Sequence, residues 1–248
     1  MSRVMLITGA SRGIGAATAR LAAQQGYQVC ISYRQQREAA ERLVQEIERA
    51  GGRALAVAAD VADEAQVVHL FEALDRTFGR LDVLVNNAGM LERQMRLEDM
   101  DAARLARVFA VNVTGSFICA REAVKRMSRR HGGYGGAIVN VSSVASRLGA
   151  PGEYIDYAAA KGAIDSMTLG LAKEVAGEGI RVNAVRPGVI HTDIHASGGE
   201  PNRVERVKAS VPMGRGGEAE EVARAILWLC GDEASYVTGA LLDVTGGR

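Results

Sequence analysis

RVMLITGASRGIG, residues 3–15, is the stretch on which the fold turns. Arg3 to Ile7 is an apolar run that reads as a buried strand. It leads straight into Thr8-Gly9-Ala10-Ser11-Arg12-Gly13-Ile14-Gly15, and past Gly13 the residues Ile14, Ala17 and Leu21 have helical spacing up to Gly26. Strand, glycine-rich turn and helix in succession offer backbone N–H groups and a helix N-terminus to a pyrophosphate. The spacing is not G-x-G-x-x-G: three residues separate Gly9 from Gly13, and Gly15 follows two later. Alone, the cluster also suits a plain tight turn.

Outward from this unit, apolar runs and helical patterns alternate. Strands are expected at Gln28–Tyr33, Ala54–Ala58, Leu81–Val85, Ala137–Val141, Ile180–Val185 and Ala240–Val244. Helices are expected at 38–50, 63–78, 101–129, 158–175 and 218–229, several stopped by glycine. Asn112 falls in the middle of the longest, where asparagine is unfavourable unless its amide or a backbone break has a use. Asn86-Asn87-Ala88-Gly89 follows the fourth strand; paired asparagines there suit bonding to neighbouring strand ends, and the glycine admits a ligand. The alternation predicts an α/β fold, a single domain over residues 1–248 with a doubly wound parallel sheet of about seven strands and helices on both faces. Residues 190–216, mixed in polar, Gly and Pro content, read as a mobile lid.

The end of the second strand bears on the ligand. In dinucleotide folds an acidic residue there holds the adenosine ribose 2′-hydroxyl. Here Tyr33 is followed by Arg34, no carboxylate comes before Glu38, and Arg12 in the glycine loop adds a second cation. Two guanidinium groups suit a 2′-phosphate, so NADP is expected over NAD.

Composition narrows the partners. A formal net charge of +1 argues against a nucleic-acid or membrane partner. Hydrophobic residues make up 48% and aromatics 4%, so the core is built from Ala, Val, Leu and Ile, as in helices packed on a parallel sheet. Cys30, Cys119 and Cys230 lie far apart in apolar contexts and read as buried thiols of a reducing compartment, pointing to the cytoplasm.

Residues 136–161, GAIVNVSSVASRLGAPGEYIDYAAAK, carry the candidate chemistry. The strand delivers Ser142 and Ser143 at its carboxyl end; Ser142, by alternation, points away. Tyr157 and Lys161 are four apart on one helix face. An ammonium about 4 Å from a phenol at an effective dielectric of about 20 is worth roughly 4 kcal/mol, enough to bring the phenol near neutrality as a proton carrier. An ordinary amphipathic helix with a packed Tyr and a solvated Lys is the bland alternative. Lysine is scarce, four residues (Lys125, Lys161, Lys173, Lys208) against twenty-six arginines, which suggests a task for Lys161. His191, Asp193 and His195 imitate a metal cluster, but no further ligand is signalled nearby and no metal is expected.

Taken together, TGASRGIG at 8–15, Asp60, NNAG at 86–89, Asn112, Ser143, Tyr157, Lys161 and Pro187-Gly188 resemble the short-chain dehydrogenase/reductase family over essentially the whole chain. Within it the chain is similar to a bacterial glucose-dehydrogenase-like or 3-oxoacyl-reductase-like branch with the Rossmann fold. The resemblance implies an NADP(H)-preferring oxidoreductase acting on a small carbonyl or secondary alcohol. Tyr157 would be the general acid/base, Lys161 would lower its pKa and bond the nicotinamide ribose, and Ser143 would orient the substrate oxygen. Asn112 would hold a water in a helix kink. Gly9, Arg12, Gly13, Ile14 and Gly15 would surround the adenosine and pyrophosphate, with Tyr33 and Arg34 at the adenosine end. Asp60 and Val61 would face the adenine, and Asn87, Ala88 and Gly89 would lie along the ribose. Pro187, Gly188, Ile190 and Thr192 would receive the nicotinamide and pyrophosphate.

The family commonly forms tetramers through the helices of Asn112 and Tyr157, so a homotetramer is expected, with a dimer as the alternative. Two departures stand out. Thr245-Gly246-Gly247 replaces Asp-Gly-Gly, with an expected effect near a subunit interface, and the serine-to-tyrosine loop is one residue longer, bringing Glu153 and Tyr154 to the pocket mouth. Residues 93–97, 149–156 and 190–213 are expected to line that pocket without selecting a substrate. Rival functions are an NAD-dependent sugar or alcohol dehydrogenase and a non-catalytic dinucleotide-binding regulator. An isomerase would need more substrate domain than this length provides.

Overall fold

Strand β1 (Val4–Ile7) is wholly buried, and its alternation feeds both faces of a sheet. Met5 and Ile7 join the core on one side; Val4 and Leu6 join the core on the other. Each such side chain, taken fully out of water, contributes about 1.5–3 kcal/mol. The computed structural model describes residues 2–248. Helix α1 (Gly13–Gln24) follows, then β2 (Gln28–Tyr33), α2 (Arg37–Arg49), β3 (Ala54–Ala58), α3 (Glu64–Phe78) and β4 (Val83–Asn86). The second half runs through α4 (Ala102–Phe109) and α5 (Gly115–Met127), then β5 (Gly136–Val141), α6 (Ala145–Leu148), α7 (Ile155–Val175) and β6 (Ile180–Pro187). It ends with α8 (Ile194–Ser197), α9 (Arg203–Val207), α10 (Ala219–Cys230) and β7 (Leu241–Val244).

Among the described residues the seven strands form one parallel sheet in the order β3-β2-β1-β4-β5-β6-β7. The chain winds outward from β1 to β3, returns to place β4 on the other side of β1, and winds outward again to β7. The direction reverses between β1 and β4, so a crevice opens above their carboxyl ends, where ligands of open α/β sheets bind. Helices α1, α2 and α10 supply one core face, and α3, α5 and α7 the other.

The expected helix over 101–129 is present but not uniform. Residues Ala110–Thr114, between α4 and α5, form a π-helical turn around Asn112. This 102–127 stretch is, among the described residues, the one helix long and apolar enough to cross a membrane; here it packs against α3 and α7. In the 190–216 segment, whose residues 201–209 have helical spacing, the structure forms α9 (Arg203–Val207) and, before it, α8.

Candidate active site

The turn after β1 is shaped by what it must avoid. Gly9 and Gly13 have φ of 62° and 57°, and a Cβ on Gly9 would lie 2.8 Å from Cα of Ala88. Behind them, a Cβ on Gly15 would strike Nδ2 of Asn87 at 2.5 Å. Asn87 ties the two strand ends together, donating to the carbonyls of Thr8 (2.8 Å) and Gly9 (3.0 Å). Thr8 Oγ1 in turn accepts from the N–H groups of Asn87 and Ala88, both at 3.0 Å. Helix α1 begins here with no side chain capping it, so its first N–H groups remain available to an anion. A pyrophosphate fits this cradle.

From the cradle a cavity of about 910 Å³ runs across the sheet edge to the 190–216 segment. One end is walled by Arg34, Asp60 and Val61; its middle by Gly9, Arg12, Gly13, Ile14, Asn87, Ala88 and Gly89. Pro187, Gly188, Ile190 and Thr192 border the same cavity, and Ser143, Tyr157 and Lys161 line its far wall. Three expected residues do not line it. Tyr33 turns into the apolar core, and its neighbour Ser32 reaches the cavity instead, accepting from the Gly9 N–H at 3.1 Å. Gly15 is a packing position beneath the loop, and Asn112 lies behind the wall.

Asn112 is committed to backbone. Its amide donates to the carbonyls of Met90 (3.1 Å) and Val108 (3.0 Å), and its Oδ1 accepts from Met90 N–H (3.1 Å). It thereby clamps the chain after β4 to the π turn. A Cβ on Gly89 would lie 3.0 Å from Asn112 Oδ1 and 3.7 Å from Lys161 Nζ, which places the three together.

Helix α7 brings the reactive groups in. Asp156 in its first turn accepts from Tyr157 N–H and forms a fully buried ion pair with Arg104 at 2.7 Å. Arg104 also donates to the Arg93 carbonyl, so one side chain ties the loop after β4 to α4 and, through Asp156, to the start of α7. Ser142 does point away from the crevice, donating to Asp165 Oδ1 at 2.7 Å. Lys161 is buried and donates to the Val141 carbonyl at 2.8 Å, with Nζ 5.4 Å from the centre of the Tyr157 ring. Before the helix, Ala150 lines the cavity with φ of 46°, a left-handed value costly for a residue bearing a Cβ.

The electrostatics correct one expectation. Within the protein's own groups Lys161 does not bring the Tyr157 phenol toward neutrality. Burial pushes the phenol up to about 12, with Ser143 and Arg203 pulling weakly the other way. Burial likewise lowers Lys161 to about 8, opposed by Asp165. Burial is the largest influence on both groups, as expected where neighbouring elements exclude water from phenol and amine alike.

Further differences concern the edges of the site. Arg34 does meet a carboxylate, Asp60, at 3.7 Å, which arrives from β3 and is invisible to a reading of β2 alone. Arg12 donates to Ser197 across the cavity mouth. Residues 93–97 stay outside; Leu97 instead borders a shallow groove with Leu105, Phe109 and Ile155. Thr245 backs the Gly188 turn, where a Cβ would lie 2.9 Å from its Cα. Lining residues outside the expected sets include Ser32, Leu91 and Arg248, whereas Arg203 lies within the expected 190–213 range. His191, Asp193 and His195 do not converge, and no group of three or more metal-ligating side chains occurs among the described residues.

A family model described as enoyl-(acyl carrier protein) reductase matches residues 9–248. The chain is 60% identical to the uncharacterized oxidoreductase YgfF of Escherichia coli, over 99% of both chains. It is 41% identical to a 3-oxoacyl-[acyl-carrier-protein] reductase of Synechocystis, covering 99% of this chain and 96% of that one. Among solved structures, the 3-ketoacyl-(acyl-carrier-protein) reductase of Brucella melitensis complexed with NADH superimposes with a TM-score of 0.92 at 36% identity, covering 99% and 98% of the two chains. A short-chain dehydrogenase/reductase of Serratia marcescens gives 0.91 at 33% identity, covering 99% and 97%. With its parallel seven-stranded sheet, its glycine cradle and these likenesses along nearly its full length, the chain belongs to the short-chain dehydrogenase/reductase family of NAD(P)-dependent oxidoreductases.

Proposed function

We propose that this protein is an NADP(H)-preferring oxidoreductase that moves a hydride between the nicotinamide and a carbonyl or secondary alcohol, with Tyr157 carrying the proton. The observation behind this reading is that Ser143, Tyr157 and Lys161 line one wall of the cavity whose other end is the glycine cradle. When bound, the pyridine nucleotide supplies or accepts the hydride. A phenol held at about 12 is protonated at pH 7 and ready to donate to an oxygen that gains charge, the requirement of carbonyl reduction. Ser143 Oγ, already ordered by the Ala145 N–H at 3.1 Å, gives the same oxygen a second partner. Lys161, cationic below about 8, stabilises negative charge developing on the phenol as its proton leaves.

The preference for NADP is supported by Arg34 and Arg12 at the adenosine half of the cavity and by the lack of a carboxylate at the end of β2. Arg34 is half exposed and only loosely paired to Asp60, so it is free to meet a 2′-phosphate. A homotetramer is supported by the apolar side chains Phe109, Phe117 and Leu169, exposed on α4, α5 and α7. The test of the chemistry is Tyr157→Phe. Turnover of carbonyl substrates should fall at least about 10³-fold, while NADPH affinity, read by fluorescence titration, stays within about threefold. Retention of most of the activity removes Tyr157 from the mechanism.

A further inference from the structure

Four buried side-chain polar atoms among the described residues lack a hydrogen-bond partner, and two of them belong to residues that line the cavity: the Tyr154 hydroxyl and Nδ1 of His195. The other two, on Gln28 and Asn86, belong to residues that do not line it. Tyr154 is 2% exposed and His195 8%, so water does not freely serve either one. Orphaned buried polar atoms are uncommon in folded proteins and ask for a ligand or an ordered water.

The chemistry of the two atoms is fixed by their surroundings. His195 Nε2 lies 2.9 Å from the Ile190 carbonyl, which only accepts, so Nε2 carries the proton and Nδ1 presents a bare lone pair. Burial lowers the imidazole pKa and keeps the ring neutral. Burial raises the Tyr154 phenol, which therefore keeps its O–H as a donor. Gln94 gives one amide N–H to Glu200 and directs the other at the phenol oxygen, which leaves the phenol O–H free to donate.

The two groups belong to one corner. A Cβ on Gly198 would lie 3.2 Å from the Tyr154 hydroxyl, and Gly198 closes the turn of α8 that carries His195, three residues before it. Arg203 lies 5.0 Å over the Tyr154 ring, and its charge reaches both His195 and Tyr157. Glu153 at 2.6 Å and Glu200 at 3.2 Å neutralise Arg203, so it does not offer a free cation to an acidic substrate.

Resting on the carbonyl–alcohol reading above, we propose that Tyr154 and His195 form a subsite for a neutral hydroxyl group of the substrate, distinct from the oxygen at Tyr157. A hydroxyl satisfies both: its oxygen accepts from the phenol, and its O–H donates to Nδ1. A carboxylate would set its charge against the Nδ1 lone pair, and a plain ketone would leave both atoms unpaired. The substrate class is thus a hydroxy-ketone and the matching diol.

The test compares kcat/KM for cyclohexanone, its 2-, 3- and 4-hydroxy derivatives and 4-oxocyclohexanecarboxylate, with acetoin against butanone as the acyclic pair. At least one hydroxy-ketone should exceed its parent by about tenfold or more. That ratio should fall to within about threefold of unity in Tyr154→Phe, which removes one oxygen only, and should fall likewise in His195→Leu. No hydroxyl preference in the wild type, a preference that survives Tyr154→Phe, or the carboxylate as best substrate overturns the subsite. Failure of the underlying reading looks different: no ketone of the panel oxidises NADPH or NADH, and the subsite falls with it.

Discussion

Lys161 sits in the protein at a cost set by desolvation. Its amine is depressed from 10.5 to about 8, which corresponds to about 3 kcal/mol. The folded protein sheds this proton as the pH passes about 8, whereas the unfolded chain holds it to about 10.4. Between those values the unfolded state binds more protons, so the Lys161 contribution to stability rises with pH. In urea denaturation, the difference between wild type and Lys161→Met should shift in favour of the wild type as pH goes from 8 to 10, by up to about 3 kcal/mol. A pH-independent difference would mean that the amine is not desolvated. The i,i+4 pairing of Tyr157 and Lys161 was legible in the sequence, since helix geometry alone puts them on one face. The direction of the phenol's shift was not, because it depends on how much water the surrounding elements exclude.

At the level of elements, the π turn at Ala110–Thr114 is the irregularity that matters. An asparagine in a long apolar helix already hinted at a break, but not that its amide would be consumed by Met90 and Val108. That bonding is a contact across twenty-two residues between a helix and the loop after β4, and no local pattern encodes it. Asn112→Ala leaves the Met90 N–H and carbonyl without these partners, costing about 1–3 kcal/mol. In a chain of this size the melting temperature should drop by roughly 2–10 °C, with the apo protein showing the loss as clearly as the nucleotide complex. An unchanged melting temperature would show that the clamp is dispensable.

Across the whole molecule, the cavity gathers residues from the turns after β1, β2, β3 and β4 on one side and from β5, α7 and the 190–216 segment on the other. Cofactor choice belongs to this scale, because Arg34 from β2 and Asp60 from β3 meet only when the sheet is assembled. The kcat/KM with NADPH should exceed that with NADH, and Arg34→Ala should lower the ratio by about tenfold or more through loss of a charge-assisted hydrogen bond. A clear NADH advantage in the wild type would mean that Asp60 holds Arg34 and the site discriminates by other groups.

By itself the sequence determined the strands, the glycine turn, the alternation that makes the sheet parallel and doubly wound, and the helical face shared by Tyr157 and Lys161. These rest on periodicity and steric limits that act over a few residues. Only the tertiary structure decided that Tyr33 packs on the core while Ser32 lines the cavity, that Arg34 meets Asp60, and that Tyr154 and His195 line the same cavity, each with an unpartnered polar atom. Those outcomes depend on which distant segments exclude water from which atoms, and desolvation is a property of the folded whole.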